Sequence, residues 1–223
     1  MNRHFYTEKE NLRSRLILMG ERTTDAFKTA LRGLLSERIV DCEQAIEMDL
    51  EIDRLEQDIE SEAVRYISLR SPVASDLRMV MAALKAAGRF ERIGDSARSV
   101  ARRSKRILSE GRLEVDLLDI EEMAAITLEM LECTKSMILQ ADREEIDRVC
   151  GMDREVDLRN EKNLKGFVEQ ARQDPFRAAV LFELSHISKT IERVADHVSK
   201  VARLMEPLTQ EGTDYRHVSS VVL

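Results

Sequence analysis

Two short acidic patterns each occur twice in this chain, and the repetition dictates how its helices can be arranged. Asp49-x-x-x-Asp53 returns as Asp153-x-x-x-Asp157, a shift of 104 positions from 49 to 153. Glu91-Arg92-Ile93-Gly94-Asp95 returns as Glu192-Arg193-Val194-Ala195-Asp196, a shift of 101 positions from 91 to 192. The small difference between the two shifts is the size of a loop-length change. A pattern repeated at that distance marks one supersecondary unit used twice, with each copy burying its apolar face against its neighbours.

The unit is helical. Gly and Pro total only 8 and 3, aromatics are 4% and charged residues 35%, a composition of long helices and bundles. Capping signals divide each half into three. The first helix is predicted from Thr7, with Glu10 completing a capping box, to Leu35. Ser36 caps a second helix that runs to Leu69. Ser71-Pro72 opens a third that ends near Leu108, before Gly111. In the second half, helices are predicted from Asp116 to Gln140, from Asp142 (capping with Glu145) to Arg172, and from Asp174-Pro175 to Met205, before Pro207. The expected fold is therefore all-α, with two tandem three-helix bundles related by internal duplication over residues 1–110 and 114–206, and a flexible tail over 207–223. A single six-helix bundle would use the same helices but is less economical.

Charge and cysteine content narrow the functional classes. The formal net charge is −7, which argues against a nucleic-acid partner, because phosphate backbones reward a basic face. No run of about eighteen apolar residues is present to cross a membrane, and residues 1–10 lack the apolar core of a signal peptide. Cys42, Cys133 and Cys150 are scattered and form no C-x-x-C pair, so neither a zinc site nor a disulfide framework is indicated. These features point to a cytoplasmic protein with reduced thiols.

The acidic pairs stand out by position. Spacing of i and i+4 puts two side chains on one helix face, although with 42 acidic residues such pairs also arise by chance; Glu21/Asp25 and Glu43/Glu47 have the same spacing. At about 100° per residue, Asp153 and Asp157 share a face with Ile146, Val149, Leu164, Phe167 and Val168. Asp49 and Asp53 share one with Ile46, Val64 and Ile67. Glu91 and Asp95 line up with Leu77, Met81 and Leu84, while Glu192 and Asp196 line up with Leu181 and with small residues such as Ser185 and Ser188. Carboxylates beside a packed face are costly unless paired or bound to a cation. Two answers stand side by side. Either a metal relieves the repulsion, in which case all-oxygen ligation suits magnesium, manganese, calcium or oxidised iron, or arginines neutralise the acids. Arg92 and Arg193 follow directly in sequence but point about 100° away, which serves less well than an i+3 or i+4 partner.

Ser71-Pro72-Val73-Ala74-Ser75-Asp76-Leu77-Arg78, then Phe90-Glu91-Arg92-Ile93-Gly94-Asp95, and Ile191-Glu192-Arg193-Val194-Ala195-Asp196-His197 resemble the PhoU family of phosphate-uptake regulators, as does Met48-Asp49-Leu50-Glu51-Ile52-Asp53-Arg54-Leu55-Glu56. The similarity covers about residues 5 to 206. It implies two three-helix bundles whose acidic motifs bind metal ions (iron, manganese or magnesium) through Asp49, Asp53, Glu91 and Asp95 in one half and Asp153, Asp157, Glu192 and Asp196 in the other. It further implies a homodimer that regulates the phosphate-starvation response negatively, between the ATPase subunit of a phosphate ABC transporter and a sensor histidine kinase, and that reaches the membrane only through those partners. The sequence departs from the family pattern at Gly88-Arg89-Phe90 and has no evident second copy of Asp76-Leu77-Arg78.

Other features have plainer readings. Glu183-Leu184-Ser185-His186 is an E-x-x-H, but a di-iron carboxylate bundle needs a second one, and none is present. His197 reads as a hydrogen-bonded structural histidine. Arg98, Arg102, Arg103, Lys105 and Arg106 read as a solvated face that favours a helix C-terminus, or as a docking patch for an acidic partner. The absence of a P-loop, nucleophile elbow or G-x-G-x-x-G argues against an enzyme. A metal-handling protein or metalloenzyme using the same carboxylates is the alternative, and a structural dimer with salt-bridged acids is the third reading.

Overall fold

The computed structural model describes residues 2–111, 113–140 and 142–209, with side chains from residue 8 to residue 206. Six helices account for nearly all of them: α1 (Asn2–Leu35), α2 (Ile39–Arg70), α3 (Ala74–Glu110), α4 (Ile120–Leu139), α5 (Arg143–Gln173) and α6 (Ala178–Thr209), the last preceded by a 3₁₀ turn at Pro175–Arg177. No strand occurs among the described residues. The helices α1, α2 and α3 pack mutually, as do α4, α5 and α6, and the two bundles meet where α3 lies along α6 and α1 along α4. This is the expected all-α fold of two tandem three-helix bundles. The buried side chains nonetheless form a single apolar cluster, from Phe27, Ile52 and Phe90 through to Met123, Val156 and Leu184. The seam between the bundles is thus part of the core.

Helix ends follow the sequence in some places and not in others. Asp142 caps α5, its side chain accepting from the Glu144 N–H at 3.2 Å, and Asp174 accepts from the Phe176 N–H at 3.1 Å ahead of α6. Gly111, at φ 148°, follows the end of α3. By contrast, α1 starts at Asn2, so Thr7 lies inside the helix and not at its N-cap; no Gly or Pro precedes Thr7 to stop the helix. Ser36 does not open α2. It lies in a Schellman-type ending of α1, in which Glu37 sits at φ 50° and the Arg38 N–H reaches the Gly33 carbonyl at 2.9 Å. Ser71 closes α2, at φ 44° with its N–H on the Ile67 carbonyl, and α3 begins only at Ala74. Pro72 disfavours the right-handed helical region for Ser71, so α2 cannot run on through it.

The start of α4 is set by contacts distant in sequence. Gln170 on α5 brackets Asp116, accepting from its N–H at 3.2 Å and donating to its carbonyl at 3.1 Å. The Asp119 N–H donates to Asn163 Oδ1 at 2.9 Å. Leu118, at φ 54°, lies over Gly166, where a Cβ would collide with its side chain. Residues 116–119 are therefore held as a turn, and the helix predicted from Asp116 begins at Ile120. At the other extreme α6 continues past Pro207 to Thr209, since a proline in a last turn removes one hydrogen bond and keeps a helical φ. The tail expected over 207–223 otherwise falls on residues 210–223, outside the described residues.

Candidate metal-binding carboxylates

Each three-helix bundle buries one stripe per helix, and the acidic pairs straddle its edge. On α2 the buried stripe runs Cys42, Ala45, Asp49, Ile52, Leu55 and Ile59. Asp49 is 2% exposed, a carboxylate within the core stripe itself, while Asp53 stands half-buried at the rim. On α5, Asp153 falls between Val149 and Val156 with its Oδ1 buried, and Asp157 is exposed. Glu91 and Asp95 on α3, and Glu192 and Asp196 on α6, are half-buried at the rims. The two halves thus repeat one arrangement: the first acid of the α2 or α5 pair is turned inward, and the others stand along the groove edge. Several apolar residues expected on the same faces are instead exposed, among them Val64 (55%), Leu164 (56%), Leu77 and Met81. A helix in a three-helix bundle buries a narrower stripe than the pattern had assumed.

The inward carboxylates are electrostatically unfavourable. Burial pushes the Asp49 pKa up, against the pull of Arg98 and with reinforcement from Asp53 and Asp95. Glu91 is pushed up to about 7 by burial, then by Asp95 and Glu56. Asp153 is raised by burial, opposed by the Ser199 hydroxyl and reinforced by Asp157 and Asp196. Among the described residues, three buried carboxylate oxygens make no hydrogen bond: Asp49 Oδ1, Asp153 Oδ1 and Glu192 Oε2. The Glu192 oxygen is nonetheless ion-paired, with Lys189 Nζ at 2.7 Å.

The neutralising arginine is one the sequence pattern had placed elsewhere. Arg98 bridges Asp49 on α2 and Asp95 on α3 through its two terminal nitrogens, at the favourable i+3 spacing from Asp95. Of the basic run on α3, Lys105 pairs with Glu43, and Arg103 and Arg106 converge on Glu183 of α6 at 2.5 and 2.7 Å. The run is therefore mostly spent within the chain. Glu183 is accordingly no di-iron ligand: burial works against its charge, but the two arginines outweigh it and lower its pKa. His186 instead packs edge-on against Phe182. His197 buries Nδ1 without a partner, which corrects the hydrogen-bonded role expected for it. It sits at the α3–α6 seam, where burial, Arg89, Lys200 and Arg92 depress its pKa against the pull of Asp196.

Sequence reasoning missed Glu56 as a member of the first cluster. Burial raises its pKa, with Glu60, Asp53 and Asp95 adding and Arg92 opposing. With Glu91 it lines a groove of about 740 Å³ whose other walls carry Lys85, Arg89, Arg92, Lys200 and Arg203. The signal for it was its place two turns after Asp49, on the α2 face that meets α3.

In donor chemistry the eight carboxylates suit a hard cation, and the buried Asp49 Oδ1 and Asp153 Oδ1 are acceptors that such an ion would satisfy. In spacing they are dispersed. Among the described residues, no three Asp, Glu, His or Cys side chains converge on a point where one metal ion could be held.

Comparison with known proteins matches this duplicated architecture. The PhoU domain family model matches residues 16–104 and again 120–205, once in each bundle. A Pseudomonas aeruginosa protein named phosphate-specific transport system accessory protein PhoU homolog is 28% identical over 218 residues, covering 98% of this chain and 90% of that protein. A protein of the same name from Zymomonas mobilis is 31% identical over 195 residues, covering 87% of this chain and 81% of the other. The crystal structure of PhoU from Pseudomonas aeruginosa is similar with a TM-score of 0.89 at 28% identity, over 94% of this chain and 100% of that one.

Proposed function

Because the chain belongs to the PhoU domain family, we propose that it is a cytoplasmic regulator of phosphate transport that represses the phosphate-starvation response when phosphate is plentiful. In this reading it binds hard metal ions through Asp49, Asp53, Glu91 and Asp95 and through Asp153, Asp157, Glu192 and Asp196. As a homodimer it docks on the ATPase subunit of a phosphate ABC transporter and on a sensor histidine kinase. The supporting observation is that each family match carries its own copy of the carboxylate arrangement, inward acid and rim acids alike. No helix among the described residues is long and apolar enough to cross a membrane, so contact with the membrane is assigned to the partners. Bound metal would supply the positive charge that the inward carboxylates lack, and the chain's own contribution is to present those oxygens on two rigid helices in each half.

The test is a phosphate-starvation reporter in phosphate-rich medium, in the source cell with this gene deleted. Derepressed expression that the intact gene restores supports the regulator. A silent reporter overturns it. A second reading, storage or transfer of metal, rests on the orphaned oxygens of Asp49 and Asp153. Metal-dependent redox cycling or turnover, abolished by Asp95→Ala, would favour it. The relatives carry the name of accessory proteins rather than enzymes, which places it second.

A further inference from the structure

We propose that the groove between α3 and α6 is the docking site for an acidic amphipathic helix of a partner protein, whose carboxylates meet Lys85 and Arg89 and whose apolar side chains meet Leu77 and Met81. This rests on the reading above that the chain docks on a transporter ATPase and a sensor kinase, and it assigns the surface. The groove of about 740 Å³ carries five cations, Lys85, Arg89, Arg92, Lys200 and Arg203, against two carboxylates, Glu56 and Glu91. It is a basic strip on a chain whose formal net charge is −7. Lys200 is paired with Asp196, and Arg203 directs Nε to Cys150 Sγ. Among the described residues, Lys85, Arg89 and Arg92 make no ion pair or hydrogen bond. Arg92 offsets Glu56 and Glu91 without pairing with either, which leaves Lys85 and Arg89 as unspent positive charge. Further along α3 the bases are consumed, Arg98 by Asp49 and Asp95, Lys105 by Glu43, and Arg103 and Arg106 by Glu183.

The trough continues toward the start of α3. Lys85 and Leu204 also line an apolar stretch of about 430 Å³ walled by Ala74, Leu77 and Met81, and Leu77 and Met81 are 37% and 41% exposed. Positions 74, 77, 81, 85, 88 and 92 recur at intervals of three and four, so they form one stripe along the helix. From Ala74 to Arg92, at 1.5 Å per residue, the stripe is about 27 Å long. Two adjacent helices with a trough between them receive a third as a bundle does, and a helix laid in a groove is read through anchors at this spacing. Basic at one end and apolar at the other, the trough complements a helix with acids at one end and apolar residues at the other. An inorganic polyanion would use the basic end and leave the apolar end in water. No aromatic side chain lines either stretch to stack a nucleic-acid base. The duplicated bundle does not itself require these bases. The shift of 101 positions that carries Glu91 to Glu192 carries Lys85 to His186 and Arg89 to Thr190, and there the Thr190 hydroxyl simply donates to the His186 carbonyl at 2.7 Å.

The test is calorimetric titration of the full-length chain with two purified proteins of the source cell, the transporter ATPase subunit and the cytoplasmic part of the sensor kinase. At least one is expected to bind the native chain. Lys85→Glu/Arg89→Glu should weaken that binding by about tenfold or more, because like charges then face each other across the interface. Lys28→Glu/Lys165→Glu makes the same change in net charge at exposed sites outside the groove and should stay within about twofold. Gly88→Leu tests shape without charge. Among the described residues a Cβ at Gly88 meets only Glu56 Oε1, at 3.6 Å, an ordinary contact, and leucine favours the helix over glycine. The side chain therefore fills the groove of a folded protein and should weaken binding as the charge reversal does, with no loss of Tm. Binding unaffected by both Lys85→Glu/Arg89→Glu and Gly88→Leu overturns the inference and leaves the partner reading intact. An equal loss in Lys28→Glu/Lys165→Glu overturns it by showing attraction through net charge alone. A native dimer that Lys85→Glu/Arg89→Glu splits into monomers on sedimentation overturns it by assigning the groove to a second copy. If neither protein binds the native chain, the docking reading falls and the inference with it.

Discussion

At the scale of single residues, most of the chemistry lies in carboxylates that folding makes uncomfortable. Glu91, held near pKa 7 by burial, Asp95 and Glu56, is the one whose effect on stability is most readily measured. Its ordinary value is about 4.5, so between that and about 7 the folded protein holds a proton that the unfolded chain releases. The folded state then binds more protons, and stability falls as pH rises through that window. For metal-free protein, Glu91→Gln should leave Tm unchanged near pH 4 and raise it at pH 8, as scanning calorimetry can show. An effect of equal size at both pH values would mean that the glutamine acts through packing and not through charge. Arg98, two turns from Glu91, was legible as a base but not as the base that matters, because its service to Asp49 depends on how α2 lies against α3.

At the scale of elements, that same α2–α3 contact depends on Gly94. A Cβ there would come within 3.0 Å of Ile52 Cδ1 and 3.1 Å of Cγ2. The internal repeat places Ala195 at the position of Gly94 and Val156 at that of Ile52, and both are fully buried. The second bundle has thus moved one methyl group from the α5 side of the contact to the α6 side. Alanine's helix propensity gains about 1 kcal/mol over glycine, whereas overpacking costs about 1–3 kcal/mol, so the coupling is the sharper quantity. Gly94→Ala should be more favourable by about 1 kcal/mol in an Ile52→Val background than in the native protein, measured by a urea double-mutant cycle. Additivity would show that α2 and α3 simply move apart. The helix ends allow a second comparison. Asp142→Ala should cost about 1 kcal/mol, as loss of a cap does, while Ser36→Ala should stay within about 0.5 kcal/mol, because Ser36 caps nothing.

For the whole molecule, the seam between the bundles is both apolar and charged. Arg103 and Arg106 of α3 clamp Glu183 of α6, whose side chain is 14% exposed. Glu183→Ala should cost about 1–2 kcal/mol, between the values for exposed and buried pairs. The lowered pKa of Glu183 means that this contribution is present above its ordinary carboxylate value and is lost as pH falls below it, so the variant should match the native protein in acid. Because one apolar cluster spans both bundles, urea unfolding should remain a single transition in native protein and variant alike. Two resolved transitions in the native protein would contradict a shared core.

The six helices, their pairing into two units and the positions of the repeated acidic pairs were legible in the sequence alone, because periodicity, capping residues and internal repetition are local or one-dimensional signals. The Asp142 and Asp174 caps belong to the same class, since each acts on a backbone N–H two residues away. Tertiary structure decided the rest. The start of α4 depends on Gln170 and Asn163, more than forty residues further along the chain. Which acid of each pair turns inward depends on how narrow a stripe three packed helices bury. Whether Arg98 faces water or bridges two carboxylates depends on the distance between α2 and α3, which Gly94 and Ile52 set. Charge pairing across helices is a property of distances in space, and a chain read along its length carries residue identities without those distances.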